Sequence, residues 1–565
     1  MTVFRTVEID LVLPSDARSD GSPAHGTRPH GALTRQAASL ETIETLRFSD
    51  LGYVTPDHVP YPPIVTQAFD LDRGLSLSSS ALGGSSSYGA ITLINADGAL
   101  DDVITQKVND HLPVRIFGGE KRWDDARGLW IDPPPSALTP IFGGLGTVWQ
   151  PDRNALSIPL LDVSSWLSVN MDVRTYGGGG KLDGDSNVAG RNQPRVRGTV
   201  CNISPTLIDA ANYVYQVSDG PAAITALYEG GFGGGIGYGG DVADLYAASP
   251  APGTYTVQRS PTGTWLRLGT KPVYGITVDA FGSFASGAAP QNVLDILRQM
   301  LVEDFAFPAG YLDPAWPATS DLAPWAGGWF WDGSETVTGA DVVNTLLSGL
   351  GISLIPTRSG TMRPVALAPP VYGAQPVLTL TSDQITEISS VGLDSSLNPP
   401  TWRWRIGSQH NFTIQTSGSG LHPQAPTDRQ ALIAISDRNS VWFSAVVKAR
   451  WRVPNDPSPV TTALQSAYDA QLIAERHGDL WGTFRELWAV SVPAALAWKV
   501  DLGDFVSVQA PVPGLSEATM GCVVAEHIRS SDATVTLQIL ILGNPQNPAD
   551  QTNDFGGDLE DMVPA

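Results

Sequence analysis

The chain reads as a multidomain, mainly β protein with a smaller α+β part, and three observations predict this. Its 565 residues exceed one compact domain and suit about three to five of ordinary size. Charged residues make up only 16%, while 58 glycines and 44 prolines supply turns, a composition that fits short strands joined by many loops. Apolar residues recur mostly with the period of two that marks a strand, and change to the helical period in three places.

At the N-terminus Val3, Val7, Ile9, Leu11 and Leu13 share one parity, and Thr6, Glu8 and Asp10 fill the other. That alternation predicts a half-buried strand. Residues 15–36 are rich in Ser, Gly, Pro, Arg and His and predict a long loop or flexible arm, so 1–45 reads as a strand with an arm. Over 46–175 the pattern predicts a tube-like β-domain, a barrel or sandwich. Its strands are expected at 46–48, 88–94, 114–117, 141–142, 147–149, 156–163 and 166–171, with a Gly-rich turn between 142 and 147. Residues 176–289 predict a second β-domain with Gly-rich loops. It contains a Gly- and Asp-rich loop at 176–194, an extended mobile loop in the glycine tract 230–240, and a hairpin of 254–257 and 264–268 about Pro261-Thr262-Gly263.

The character changes at 290. Val293, Ile296, Leu297, Met300 and Leu301 fall on one helical face. A second helix is expected over 340–350, stopped by Gly349 and Gly351, and strands over 352–355, 361–365 and 377–380 make 290–395 an α+β domain. From 396 to 543 a C-terminal tube-like β-domain with one helix is expected. Trp402, Trp404 and Ile406 alternate with Arg403 and Arg405, and Val447, Ala449, Trp451 and Val453 alternate with Lys448, Arg450 and Arg452, which predicts two strands. The helix is placed between 460 and 477, with Leu464, Ala467, Tyr468 and Leu472 on its face and Gly478 as its stop; strands follow at 487–492, 504–509, 521–526 and 535–542. The Pro-, Asn- and Asp-rich stretch 544–565 reads as a flexible tail.

The charge bounds the function. With 34 Lys and Arg against 57 Asp and Glu the net charge is −23, which argues against coating nucleic acid. It leaves open a wide channel that passes DNA without holding it, and equally a surface acidity that only keeps the chain in solution. Cys201 and Cys522 cannot staple a chain of this length and read as two free thiols made in a reducing cytosol. The first residues lack a basic segment followed by an apolar run, and no apolar stretch approaches a spanning helix, so neither a leader nor stable membrane insertion is expected.

Motifs that carry chemistry fail on inspection. In Gly177-Gly-Gly-Gly180-Lys181 the phosphate loop lacks its first glycine, replaced by Thr175, and its Ser or Thr, replaced by Leu182. Gly235-Ile-Gly237-Tyr-Gly-Gly240 matches a dinucleotide fingerprint by letters, inside a glycine tract and without a βαβ unit. Asp183-Gly-Asp185-Ser-Asn187 begins like a calcium loop, but Val188 and Pro194 stand where Gly and Glu are needed; a hydrophilic turn is the expectation, with a weak cation site as the rival. Gly184-Asp185-Ser186 lacks the partner residues of a serine hydrolase, the eight histidines show no zinc spacing, and no carboxylate pair is singled out. The tryptophans, including Trp316, Trp325, Trp329 and Trp331, read as core or interface in preference to a sugar platform. No catalytic, cofactor-binding or metal-binding residue is assigned, and no enzyme activity is expected.

The order of segments resembles phage tail hub proteins, the tail-tip family of long-tailed phages, prophages and gene transfer agents. The resemblance rests on Tyr88-Gly-Ala-Ile-Thr-Leu-Ile-Asn-Ala-Asp-Gly-Ala-Leu-Asp-Asp102, on Val114-Arg-Ile116 and Ile141-Phe142-Gly-Gly-Leu-Gly, and on Gly198-Thr-Val-Cys-Asn-Ile-Ser-Pro205 with Tyr215-Gln-Val-Ser-Asp-Gly220. Val500-Asp-Leu-Gly-Asp-Phe-Val506, 521–528 and 535–542 are similar to the family's final β-domain, so the resemblance spans roughly 46 to 543. Residues 15–36 and 230–240 depart from it, and with two cysteines the metal-binding cluster of some relatives is not carried over. The resemblance implies a homotrimer at the distal end of a virion tail, made in the host bacterial cytoplasm. Two tube-like modules per chain would match three copies to a six-fold tube. The implied partners are a distal tail protein, a tape measure protein and a tail fibre or central tip protein, with transient passage of phage DNA. The alternatives are a distal tail ring protein and a tail-associated carbohydrate-binding or carbohydrate-degrading protein. The net charge adds the expectation that acidic residues outnumber basic ones along the bore.

Overall fold

A computed structural model describes residues 2–12, 43–77, 86–285, 287–316, 323–416, 418, 420–529 and 532–545. The arm read over 15–36 and the tail beyond 545 lie outside the described residues. The protein is mainly β with a smaller α part, arranged as several sheets.

The first sheet has nine strands. Those used below are β1 (Thr2–Leu11), β2 (Glu44–Ser49), β3 (Val65–Gln67), β5 (Ala90–Ile94), β6 (Pro113–Asp124), β7 (Leu129–Ile131), β8 (Thr139–Gly146) and β9 (Ala155–Leu161); a strand between β3 and β5, β4 (Asp70–Gly74), belongs elsewhere. The order is β2-β1-β6-β8-β9-β5-β3, with β7 folded back on β6. β1 lies between β2 and β6, and is therefore covered more fully than its alternation suggests: Arg5, Thr6 and Asp10 are buried along with Val7 and Ile9.

Two local expectations fail here for physical reasons. The pair of strands about a glycine turn is one strand, β8, which runs through Gly143, Gly144 and Gly146. These glycines exist for close approach: a Cβ on Gly143 would stand 2.6 Å from the backbone of Ser359 and Gly360, and one on Gly146 would stand 1.5 Å from the Asn109 Oδ1. The strand expected over 166–171 is a 3₁₀ turn, Val163–Ser168, capped by Asp162, whose carboxylate accepts the Ser164 N–H at 2.7 Å.

The middle of the chain forms a four-stranded and a five-stranded sheet. β10 (Arg195–Ile203) runs in the first, and β11 (Gly237–Asp241), β12 (Thr254–Ser260) and β13 (Gly263–Leu268) close one side of the second. β12 and β13 form the expected hairpin. The glycine tract is not simply a loop, because β11 pairs in parallel with β12 at the sheet edge.

Helix α1 (Val293–Asp304) buries the apolar face read from the sequence, and Asn292 caps it by accepting the Leu294 N–H at 2.8 Å. Helix α2 (Gly339–Leu347) starts with a reciprocal capping box between Thr338 and Asp341. Trp316, Trp325, Trp329 and Trp331 are buried in the same apolar cluster, which extends into both terminal sheets.

The C-terminal part is built from β14 (Leu378–Leu380), β15 (Glu387–Val391), β16 (Arg403–Ser408), β17 (Arg438–Phe443), helices α3 (Ala445–Arg450) and α4 (Ala467–Trp481), β18 (Glu486–Pro493), β19 (Phe505–Val508), β20 (Thr519–Arg529) and β21 (Thr534–Ile541). A seven-stranded sheet runs β14-β19-β20-β21-β18-β15, and its seventh strand is β4, on β20. The expected strand over 447–453 is instead α3 followed by a turn. Ser444 caps α3 by accepting the Val447 N–H, and residues of both parities are exposed, so the alternation there reflects no sheet face. α4 begins later than expected and passes through Gly478, where a Cβ would meet the Trp442 ring at 2.2 Å; its buried face is Ala470, Ile473, Ala474, His477, Leu480 and Trp481, while Tyr468 is exposed.

Candidate assembly surface

Two features of this fold could serve assembly: the joint that fixes the terminal sheets to each other, and an apolar hairpin that stands out from the first sheet. The joint begins with β4, which pairs antiparallel with β20, so that Arg73 lies opposite Glu526. Its Nε donates to Glu526, its Nη2 to Asp501 and its Nη1 to the Pro356 carbonyl at 2.7 Å. Arg358 reaches the other Glu526 oxygen and donates its Nε to the Val500 carbonyl at 3.0 Å, while its backbone N–H donates to Asp501 at 3.1 Å. Arg73, Arg358 and Glu526 are 3%, 6% and 2% exposed, and half-buried Asp501 completes a balance of two cations and two anions. Burial alone would raise the Asp501 carboxyl, but Arg73 and Arg358 hold it below the ordinary carboxylate value. Burial outweighs Glu526 at Arg358 and pushes that guanidinium below its ordinary value.

Further contacts tie the same two sheets. The Trp498 ring occupies the space a Gly118 side chain would need, and Arg5 donates to the Asp532 carbonyl at 2.9 Å. Beside the joint lies a cleft of about 300 Å³ lined by Arg73, Ser86, Asp162, Ser164, Leu354 and Leu502 among others. Its charged groups are engaged within the protein, Arg73 as above and Asp162 as the cap of its 3₁₀ turn.

The hairpin is made by the end of β6 and by β7. Asp124 closes its turn by accepting the Ala126 N–H at 3.0 Å, and Gly128 takes φ +65°. Trp123 lies opposite Trp130, with ring centroids 5.4 Å apart, edge to face. Trp123, Leu129, Trp130 and Ile131 are 45%, 46%, 44% and 38% exposed. The two tryptophans share one face of the ribbon, and Leu129 and Ile131 lie on the other; an exposed tryptophan pair is of the sort that interfaces use as anchors.

The residues tested for chemistry fall elsewhere. Asp183 accepts the Gly177 and Gly179 N–H groups at 2.8 and 3.0 Å, which holds its carboxyl below the ordinary value, and Asp185 accepts the Asn187 N–H at 2.9 Å. The 183–187 segment is a turn that binds its own backbone. Gly235 and Gly237 lead into the edge strand β11, with no helix behind them. Cys201 and Cys522 are separate free thiols, and burial raises them to about 11 and about 12. Trp404 is buried against His477, with ring centroids 4.6 Å apart.

Sequence reasoning missed both features. Arg73 and Glu526 are 453 residues apart, and nothing local links them. The hairpin did leave a signal, two tryptophans flanking Asp124-Asp-Ala-Arg-Gly128.

No protein-family model matches the chain, and no curated protein does. Solved structures that align with it include three tail proteins. A tail protein from Neisseria meningitidis MC58 is 9% identical over 86% of this chain and 95% of that chain, with a TM-score of 0.33. The 43 kDa tail protein of prophage MuSo2 from Shewanella oneidensis is 9% identical over 86% and 95%, with a TM-score of 0.32. Prophage tail protein gp18 from Listeria monocytogenes EGD-e is 8% identical over 88% and 94%, with a TM-score of 0.29. The chain is thus similar to tail and prophage tail proteins over most of its length.

Proposed function

We propose that the chain is a structural component of a phage tail, acting at the tail tip as a hub. It would cap the tube, join it to distal receptor-binding parts and form the channel for DNA ejection. The single observation that carries this reading is the shared joint. β4, taken from between strands of the first sheet, completes the C-terminal sheet, and the joint buries Arg73, Arg358 and Glu526 with Asp501 at its edge. A subunit so built presents two sheets at a fixed spacing. Three such subunits can offer six modules to a six-fold tube, as the sequence resemblance implies.

On this reading the function is geometric, and catalysis by the chain is not part of it. The exposed Trp123–Trp130 hairpin is a contact to a neighbouring subunit or to the distal tail protein. The tape measure protein and a fibre or central tip protein are the further partners. An acidic bore would keep exiting DNA from binding the wall, because like charges repel over roughly 8 Å at physiological salt.

Copy counting on purified particles tests the proposal. Three copies per tail are expected, and six would move the chain to the distal ring. Particles whose Asp183, Asp185 and Asn187 are all alanine should assemble and infect. Infectivity that is lost and then restored by added calcium would instead identify a cation site there.

A further inference from the structure

We propose that the acidic C-terminal segment of this chain, residues 546–565, docks on a basic aromatic patch built by residues 402–453 and Phe484. This stands independently of the tail-tip reading.

The patch is anomalous in charge. The whole chain carries −23, yet residues 402–456 hold seven Arg or Lys against three Asp. Arg403 and Arg405 share Asp456, at 2.6 and 2.9 Å. Lys448, Arg450 and Arg452 are exposed and enter no ion pair with the described residues. Between the cations lie exposed apolar groups. Phe443, Val446 and Val453 are 53%, 75% and 75% exposed, and Phe484, itself 53% exposed, stacks on Trp451 with centroids 6.3 Å apart. Lys448 and Arg403 lie over the Trp402 ring at 4.1 and 4.6 Å. Exposed cations beside aromatic and aliphatic surface suit an extended segment that alternates acidic and apolar residues.

The chain carries such a segment. Residues 546–565 contain Asp550, Asp554, Asp558, Glu560 and Asp561, no Lys or Arg, and Phe555, Leu559, Met562 and Val563. The described residues before them end at 545, near the patch. Arg485, next to Phe484, donates to the Leu542 carbonyl at 2.7 Å, and Asn544 donates to the Ala518 carbonyl at 2.9 Å. A segment of 20 residues can span tens of ångströms, at roughly 3.3 Å per extended residue. Tethering beside its site gives it an effective concentration in the millimolar range, so weak contacts suffice. A nucleic acid of the same charge would lack this tether and would meet the repulsion of the remaining acidic chain.

The test uses the full chain and two variants. In the tail variant Phe555 and Leu559 become Ser, Asp558 and Asp561 become Asn, and Glu560 becomes Gln. In the patch variant Lys448, Arg450 and Arg452 become Glu. All the substituted patch residues are exposed, so both variants should keep the wild-type melting temperature. Amide exchange of 441–453 should be several-fold slower in the unchanged chain than in either variant. Raising the salt to about 0.5 M should bring it to the variant rate, because screening is then strong. A zero-length carbodiimide cross-link should join Lys448 to Asp558, Glu560 or Asp561 within one copy in a mixture of isotopically heavy and light chains. Exchange that is the same in the unchanged chain and the tail variant would overturn the proposal, as would links found only between heavy and light copies. A single-stranded oligonucleotide bound equally by the unchanged chain and the tail variant would assign the patch to nucleic acid, and would overturn it as well.

Discussion

His477 shows how much a single side chain can be asked to do in this core. It lies on α4, 8% exposed, with Trp404 stacked on one face. Its Nε2–H donates to the Gly349 carbonyl at 2.7 Å, and its buried Nδ1 meets no donor among the described residues. Burial lowers its pKa to about 4, against the Gly349 bond that works the other way, and neighbouring Arg476 adds to the lowering. The imidazole is therefore neutral in the folded protein, while in the unfolded chain it protonates near its ordinary value of about 6.5. Its contribution is present in full above that value and is lost as the pH falls from about 6.5 toward 4, by about 3 kcal/mol. Denaturant titrations across this window should show that slope in the wild type and a flatter one in His477→Gln; equal slopes would mean the ring is charged in the fold. Gly143 makes a steric case of the same kind. Gly143→Ala must push β8 away from Ser359 and Gly360, and should cost about 1–3 kcal/mol in equilibrium unfolding. Neither role was legible beforehand, because a glycine run in a sequence reads as a turn and a lone histidine as a surface group. Only the opposing backbone or ring decides otherwise.

At the scale of elements, what could be read was whatever a local period records. α1, β12 and β21 repeat or alternate, since each has one covered face, whereas β13, β19 and much of β20 are largely apolar runs buried on both faces. The segment from α3 to Val453 and the early part of α4 misled the reading because exposed Val453 and Tyr468 imitate a buried pattern. The joint was illegible in principle, because its value comes from pairing β4 with a strand near the far end of the chain. Arg73→Met would leave buried Glu526 and half-buried Asp501 with one cation fewer, and should cost about 3–5 kcal/mol. Replacing Arg73, Arg358, Asp501 and Glu526 together by apolar residues of similar size should cost much less. A single substitution as mild as the quadruple one would show that the joint is open to water. The β6–β7 hairpin calls for the opposite signature. Trp123→Ser with Trp130→Ser should leave the isolated chain within about 0.5 kcal/mol of wild-type stability, since both rings are already half exposed. Its incorporation into particles should fall sharply, as expected when anchor tryptophans are removed from an interface. Normal incorporation would exclude the hairpin as a contact.

At the scale of the whole molecule, the mainly β class followed from low charge, abundant turn residues and strand periodicity, and the fold agrees with it. The proposed function was less legible, because a geometric role would leave no catalytic motif and would depend on surfaces shared between copies. The fixed relation between the first and last sheets gives that role a definite form. Because β4 and the Arg73–Glu526 pair join them, a subunit has to enter an assembly with both sheets together. Charge mapping of the bore in an assembled tail should then find Asp and Glu outnumbering Lys and Arg, and a basic lining would contradict the idea of a non-sticking wall. The number of copies tests the central claim most directly. Quantitative mass spectrometry of intact particles, referenced to the tube protein, should find three copies of this chain per tail, and six copies would contradict the hub assignment.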